Sequence, residues 1–117
     1  MAIAPVSVFG PSVITNGSQG QLYVSPNGVK TTITRMVFNN TSASPINLQV
    51  WLVRMGQSIT TSELVIGAAA GGLSMAAGAS APYIADAFAG MVLNPGDAIW
   101  AEASGAGLNG VASGWTQ

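Results

Sequence analysis

The chain has 117 residues, which is the size of one ordinary domain, and it carries only three basic and four acidic side chains. Three basic side chains spread along the chain cannot form the positive patch that a phosphate backbone requires, so nucleic-acid binding is excluded as the main activity. The chain also has no histidine and no cysteine, which removes the usual general base near neutral pH, thiol catalysis and the commonest metal ligands.

Residues 1–13 form a distinct first segment, because they are apolar, include two prolines and offer few side chains that form hydrogen bonds. Two interpretations are open: an edge strand of a sandwich, or an extended N-terminal arm that docks on a neighbouring subunit by adding to a sheet edge. Under the second interpretation Ile3, Val8 and Phe9 are candidate contact residues. Residues 14–117 are predicted to form one β-sandwich domain.

The clearest pattern in the chain is an apolar period of two over residues 45–54, which is typical of a strand with one core face. The side chains that share this face are Ile46, Leu48, Val50 and Leu52. Residues 31–40 alternate less cleanly but are rich in β-branched side chains. A short polar run separates the two segments, so residues 31–54 are predicted to form a β-hairpin.

Turn-forming pairs divide the rest of the chain into short strands. Asn94-Pro95-Gly96-Asp97 fits a type II turn, because proline presets φ at the second position and glycine supplies a positive φ at the third. Asn-Gly pairs predict further turns at Asn16, Asn27 and Asn109. Further strands are predicted at residues 21–25, 82–85, 91–93, 98–103 and 110–115, and one helical turn within 62–70.

Seven or eight short strands separated by turns predict an all-β fold, a single antiparallel β-sandwich of the jelly-roll or immunoglobulin type. Residues 64–85 are uncharged and long enough to span a bilayer. They are mostly glycine, alanine and serine, contain Pro82, and are flanked by acidic rather than basic residues. We therefore predict no membrane association.

Motifs for catalysis or cofactor binding are weak in this sequence. The four carboxylates are well separated, and no calcium-binding loop pattern is present. A Gly-x-Gly-x-x-Gly pattern at residues 105–110 lacks the following helix and the later acidic residue that a dinucleotide site requires. We expect no enzyme activity, no cofactor and no bound metal.

The three tryptophans, Trp51, Trp100 and Trp115, leave three interpretations open. They pack at sheet ends, they anchor a protein interface, where tryptophan is enriched at hot spots, or they stack on sugars. Trp51 lies on the face opposite Leu52 and its apolar neighbours, so it is predicted to be exposed or covered by a partner. Trp51 and Trp115 are therefore further candidate interface residues.

Four segments together carry a resemblance to a known class of proteins: residues 31–43, 46–53, 89–101 and 111–114. The first ends in Asn40-Thr41-Ser42-Ala43, and the third contains Leu93-Asn94-Pro95-Gly96-Asp97-Ala98-Ile99. Over about residues 30–114 the chain resembles the small β-sandwich virion proteins of tailed bacteriophages. Those proteins show an Asn-Thr-Ser hairpin and a Leu-x-Pro-Gly-Asp-x-Ile turn.

The resemblance implies a viral structural protein at the capsid surface of the virion, a decoration or cement protein that binds and stabilises the assembled shell. Its implied partners are the major capsid protein and copies of itself, as a dimer or trimer, with no nucleic acid and no membrane. Two alternatives remain open. One is a tail, neck or head-fibre component of the same particle, and the other is a carbohydrate-binding adhesion module with Trp51 or Trp100 as its platform.

Overall fold

The computed structural model describes residues 4–59, 64–67, 73–76 and 82–117. These residues form short β-strands and one 3₁₀ turn, and they are all-β as the sequence predicts. In chain order the elements are β1 (Ala4–Val13), β2 (Gly20–Val24), β3 (Thr31–Asn40), β4 (Ile46–Val53), β5 (Leu64–Ile66), β6 (Leu73–Met75), β7 (Tyr83–Ile84), the 3₁₀ turn Asp86–Phe88, β8 (Val92–Leu93), β9 (Ala98–Ala103) and β10 (Leu108–Thr116).

The strands form two antiparallel sheets that enclose one core. In the first sheet the order is β1, β10, β3, and both β7 and β8 then pair with β3. In the second sheet the order is β2, β9, β4, and both β5 and β6 then pair with β4. The pairs are nested: β1 with β10, β2 with β9, β3 with β7 and β8, and β4 with β5 and β6. A long hairpin rolled up in this way is a jelly roll, one of the two predicted sandwich types.

The core lies between the sheets and is built from the inner faces of their strands. In β4 the inner side chains are the four predicted from the period of two, ending with Leu52. In β3 they are Ile33, Met36 and Phe38, because Thr34 is an extra residue opposite β10 and this bulge shifts the alternation. Burial of each large side chain stabilises the fold by about 1.5–3 kcal/mol.

Strands β3 and β4 lie where the sequence places them, but they do not form a hairpin. β3 belongs to the first sheet and β4 to the second, so residues 41–45 cross from one sheet to the other. The hairpin prediction is wrong, because an alternating pattern fixes which face of a strand is buried and does not fix which strand lies beside it. Both strands bury their inner faces in the same core.

Asn40 holds the crossing between the sheets from inside, with only 2% of its surface exposed. Its Nδ2 donates to the carbonyl oxygens of Ser44 at 2.9 Å and of Met75 and Ala76 at 3.1 Å. Its Oδ1 accepts hydrogen bonds from the backbone N–H and the hydroxyl of Ser42, at 3.0 and 2.8 Å. One side chain therefore joins the end of β3, the crossing and β6.

Strand β1 is an edge strand of the first sheet and pairs with β10. Residues 4–13 are therefore an edge strand of the sandwich and not an extended arm. Val8 and Phe9 are buried in the core, and the Phe9 ring lies 6.3 Å from the Phe38 ring between centroids. Pro5, Pro11 and two register shifts interrupt the strand. Prolines and bulges discourage another strand from pairing at an edge.

The structure confirms the predicted turns at residues 94–97 and at Asn27, where the Val29 N–H donates to the Pro26 carbonyl at 3.1 Å, and it contradicts the turn predicted at Asn109. Gly96 has a φ of 87°, and the Asp97 N–H donates to the Asn94 carbonyl at 3.0 Å, as a type II turn requires. The Asn109-Gly110 pair, in contrast, lies inside β10. The positive φ of the β9–β10 connection is at Gly107 instead.

The described parts of the uncharged stretch over residues 64–85 contain the three short strands β5, β6 and β7. The predicted helical turn is therefore wrong at Leu64–Ile66, and the remainder of residues 62–70, apart from Gly67, lies outside the described residues. In the described part of the chain, no helix has the length and apolar character needed to cross a membrane.

Candidate interaction surface

The acidic side chains of the described residues do not gather into a metal site, since no three of them lie close enough to hold an ion.

The one ion pair within the described ranges joins Arg54 Nη1 to Asp97 Oδ2 at 2.5 Å. Arg54 Nη1 also donates to the Val92 carbonyl at 3.1 Å. This pair ties the end of β4 to the connection between β8 and β9.

Asp97 is a buried carboxylate that the structure holds in its ionised form. Its oxygens also accept the backbone N–H groups of Met55 at 3.0 Å and Asn94 at 2.8 Å. Burial alone would raise the pKa of Asp97, but the hydrogen bonds from Arg54, Met55 and Asn94, together with the Arg54 charge, outweigh burial and lower the pKa below its ordinary value. A carboxylate so fully occupied is suited to holding the fold and poorly suited to acting as a base.

The outer face of the second sheet is already covered around the end of β4. Trp51 lies opposite Trp100 of β9, and Val53 lies opposite Ala98. Both β4 side chains point away from the core face, yet Trp51 is only 5% exposed and Val53 only 7%. A partner protein therefore finds little of Trp51 to contact on this face.

The outer face of the first sheet is open and carries β-branched side chains across three neighbouring strands. Val111 of β10 lies opposite Val37 of β3, and Val37 lies opposite Ile84 of β7. Residues directly opposite each other in antiparallel strands point to the same side, so the three form one stripe, here called the apolar row. Val111 is 38% exposed and Ile84 is 45% exposed.

Three further rows of side chains cross the same outer face. In order along the strands they are Val13–Asn109–Asn39, Ser7–Ser113–Arg35 and Pro5–Trp115–Thr32–Val92. Apart from Arg35, these rows contain only hydroxyl, amide and apolar side chains. Depletion of charged residues is the composition that marks the centre of protein–protein interfaces.

A shallow open depression of about 200 Å³ lies beside the apolar row. Pro11, Val37 and Val111 form its apolar walls, and Asn39 and Asn109 contribute their amides. The depression is smaller than the roughly 300–1,000 Å³ typical of small-molecule sites. It is therefore better suited to a single protruding side chain of a protein partner than to a small ligand.

Four of the five predicted contact residues lie within the described chain, and they occupy three different environments. Ile3 is outside the described residues. Val8 and Phe9 are core residues, so their side chains hold the sandwich together and do not lie on its surface. Trp51 is covered on the second sheet, and Trp115 is half-buried on the open face of the first sheet.

The residues that sequence reasoning missed are those of the apolar row. The available signal lay in β10, where Gly110, Ala112 and Gly114 alternate with larger side chains such as Val111. Large apolar residues are usually assigned to the core face, but here the glycines and the alanine face inward. At Gly110 the reason is that Phe9 and Phe38 fill the adjacent space, where an added Cβ would lie 2.8 Å from Phe38 and 3.2 Å from Phe9. At Gly114 an added Cβ would collide with the Thr32 carbonyl oxygen.

No protein-family model, no curated protein and no solved structure matches this chain. The jelly-roll fold does not by itself select a function, because it serves capsid proteins, lectins and cupins alike. The inference of function therefore depends on the chemistry of the surface.

Proposed function

We propose that this chain is a structural protein of a virus particle, a decoration protein that binds the assembled shell of major capsid subunits and stabilises it. The observation that carries the proposal is the open, nearly uncharged outer face of the first sheet with its apolar row, Val111, Val37 and Ile84. A face of this composition acts by adhesion to another protein surface.

The apolar row is well suited to being covered by a partner. Each Å² of apolar surface removed from water is worth about 25 cal/mol. Valine and isoleucine have few side-chain rotamers, and strand pairing already fixes their backbone, so covering them costs little conformational entropy. The serine, threonine and asparagine side chains around the row supply hydrogen bonds at the rim.

Decoration of a shell requires only modest affinity at each contact. A protein that binds the assembled shell and not its separated subunits stabilises the shell through mass action. Attachment at more than one point on a regular lattice further raises the effective affinity. A nearly uncharged adhesive face is sufficient for this role.

The carbohydrate-binding alternative has less support, because Trp51, one of its two candidate platforms, is covered and offers no open ring face to a sugar, and the other, Trp100, is half-buried. The tail, neck and head-fibre alternatives predict the same kind of adhesive surface. They differ from a decoration protein in stoichiometry, so copy number distinguishes them.

The first test is the number of copies per particle, measured by densitometry or quantitative mass spectrometry on purified virions. A decoration protein is expected in numbers of the same order as the major capsid protein. A count of only a few per cent of that value would assign the chain to the tail, neck or fibres. Absence from the particle would overturn the proposal altogether.

The second test places a charge in the apolar row. Val111→Asp is expected to lower occupancy on the particle at least tenfold, which corresponds to about 1.4 kcal/mol. The matched control is Val24→Asp, a 45% exposed valine on the edge strand β2 of the other sheet, which is expected to bind like the parent protein. Urea unfolding curves confirm that both variants fold. Unchanged occupancy of Val111→Asp would remove the outer face of the first sheet from the proposal.

A further inference from the structure

The chain contains three Asn-Gly pairs, at Asn16, Asn27 and Asn109. In such a pair the glycine nitrogen loses its proton and attacks the asparagine Cγ, and a new C–N bond forms. The bond from Cγ to Nδ2 then breaks, and Nδ2 takes up a proton and leaves as ammonia. Water then opens the cyclic imide to give aspartate or isoaspartate. The reaction requires a glycine nitrogen without a hydrogen-bond acceptor and a backbone that is able to rotate, which glycine allows because it has no Cβ.

Asn27 meets both requirements. It is exposed in a turn closed by the Val29 N–H, which donates to the Pro26 carbonyl at 3.1 Å. Gly28 has a φ of 74°, and no atom lies within 4 Å of the position that a Cβ would take. Neither the Gly28 N–H nor the Asn27 amide makes a hydrogen bond within the described ranges of the chain.

Asn16 does not meet the first requirement. The N–H of Gly17 donates to the Ala103 carbonyl at 3.1 Å, and Asn16 itself forms a parallel bridge with Ala103. The nitrogen that would attack is therefore held in a hydrogen bond and directed toward another strand. Release of this bond has to precede the reaction.

Asn109 fails on both counts, because it lies inside the central strand β10. Gly110 is buried and is paired with Ser12 of β1 on one side and with Phe38 of β3 on the other. Rotation of this backbone requires separation of three strands of the first sheet. Reactions that need such opening are slowed by the free energy of the opening.

We propose that Asn27 is a site of spontaneous deamidation and that the fold selects it over the two other Asn-Gly pairs. The reaction adds one carboxylate, close to Lys30, to a chain whose formal net charge is −1. An isoaspartate product also lengthens the backbone by one methylene in the connection between β2 and β3. In a chain with only three basic and four acidic side chains, each such event is a large fractional change of surface charge.

The test is incubation of the folded protein at mildly alkaline pH, followed by peptide mapping with a protease that cleaves after Tyr23 and so separates Asn16 from Asn27. Asn27 is expected to react at least about tenfold faster than Asn16 or Asn109. In denaturant the three pairs are expected to react at similar rates, because the local sequence chemistry is then the same. Equal rates in the folded protein, or the same ranking in denaturant, would overturn the proposal.

A pair of variants gives a second readout by isoelectric focusing. The parent protein is expected to develop an acidic band with time, and Asn27→Gln is expected to abolish it because glutamine cyclises far more slowly. Asn109→Gln is the control and is expected to keep the band. An acidic band that persists in Asn27→Gln would place the reaction elsewhere in the chain.

Discussion

At the scale of single residues, two buried polar side chains hold the connections of the fold. Asn40 joins the crossing between the sheets to β6 through hydrogen bonds to backbone groups. Asp97 joins the end of β4 to the β8–β9 connection. Each satisfies backbone groups that would otherwise be buried without partners, and an unsatisfied buried group costs about 1–3 kcal/mol.

Asn40→Ala is expected to lower the free energy of unfolding by about 2–4 kcal/mol, since several buried or partly buried backbone groups lose their partner at once. Urea unfolding at neutral pH measures the change. Asn27→Ala is the matched control, because the Asn27 side chain is exposed and makes no hydrogen bond in the described chain. The control is expected to stay within about 0.5 kcal/mol of the parent protein. Equal losses in the two variants would contradict the role of Asn40.

Asp97 is expected to make stability depend on pH in the acid range. Because its pKa is lower in the folded protein than the ordinary value of 3.8, the stabilisation is complete above that value and is lost as the pH falls through the folded-state pKa. Asp97→Asn is expected to cost about 1–3 kcal/mol at neutral pH, and the difference from the parent protein is expected to shrink in acid.

Urea unfolding at a series of pH values measures this prediction. Asp86→Asn serves as its control, because Asp86 is exposed and makes no ion pair in the described residues. The control is expected to follow the parent curve. A difference between Asp97→Asn and the parent protein that stays constant down to the lowest pH would show that the charge of Asp97 is not what stabilises the fold.

At the scale of elements, the sequence predicted strands better than it predicted their partners. The alternation of β4 was strong enough to assign its inner face correctly from Ile46 to Leu52. In β3 the bulge at Thr34 broke the alternation, so the inner face could not be read from spacing alone. The hairpin between them failed because a five-residue polar connection is compatible with a hairpin and equally with a crossing between sheets.

The open face was not predictable from hydrophobicity, for a reason that lies in β10. The inward positions Gly110 and Gly114 carry no side chain, because the rings of Phe9 and Phe38 occupy the space beside Gly110 and the Thr32 carbonyl lies against Gly114. The larger Val111 was thereby left on the outside. A sequence pattern gives the size of the side chain at each position. It does not show that a small residue faces the core because side chains from neighbouring strands fill the space beside it.

Gly110 is expected to tolerate no side chain, because an added Cβ would lie 2.8 Å from two ring carbons of Phe38. Gly110→Ala is expected to lower the free energy of unfolding by about 1–3 kcal/mol through overpacking. At Gly105 the nearest atom to an added Cβ is 3.8 Å away, on Ile46. Gly105→Ala is therefore the control and is expected to be neutral or slightly stabilising. Thermal unfolding of both variants measures the contrast, and equal melting temperatures would argue against tight packing at Gly110.

At the scale of the whole molecule, the scarcity of charge determines how the protein can associate. With 6% charged residues the chain has little long-range field with which to attract a partner. Its association with a shell is then expected to depend on apolar contact and on short-range hydrogen bonds. We expect these contacts on the open face of the first sheet, because Trp51 on the second sheet is covered.

The rate at which the protein binds particles that lack it is therefore expected to change little with salt concentration. Raising the ionic strength from about 0.01 to 1 M shortens the screening length from about 30 to 3 Å, which slows charge-steered association strongly. Stopped-flow or surface binding measurements over this range test the expectation. A steep fall of the association rate with salt would indicate that the few charges, Arg35 among them, guide the encounter.

The nesting of the strand pairs also sets the order in which the molecule can assemble on the ribosome. The middle pairs of the nest, around β4, have both partners available early. Strand β1, in contrast, leaves the exit tunnel before the other described strands and pairs only after β10 has been made. Until β10 has been made, Val8 and Phe9 remain exposed and can aggregate with other nascent chains. Translation that stalls before β10 would leave a nascent polypeptide in which the apolar side chains of β1 stay exposed to solvent.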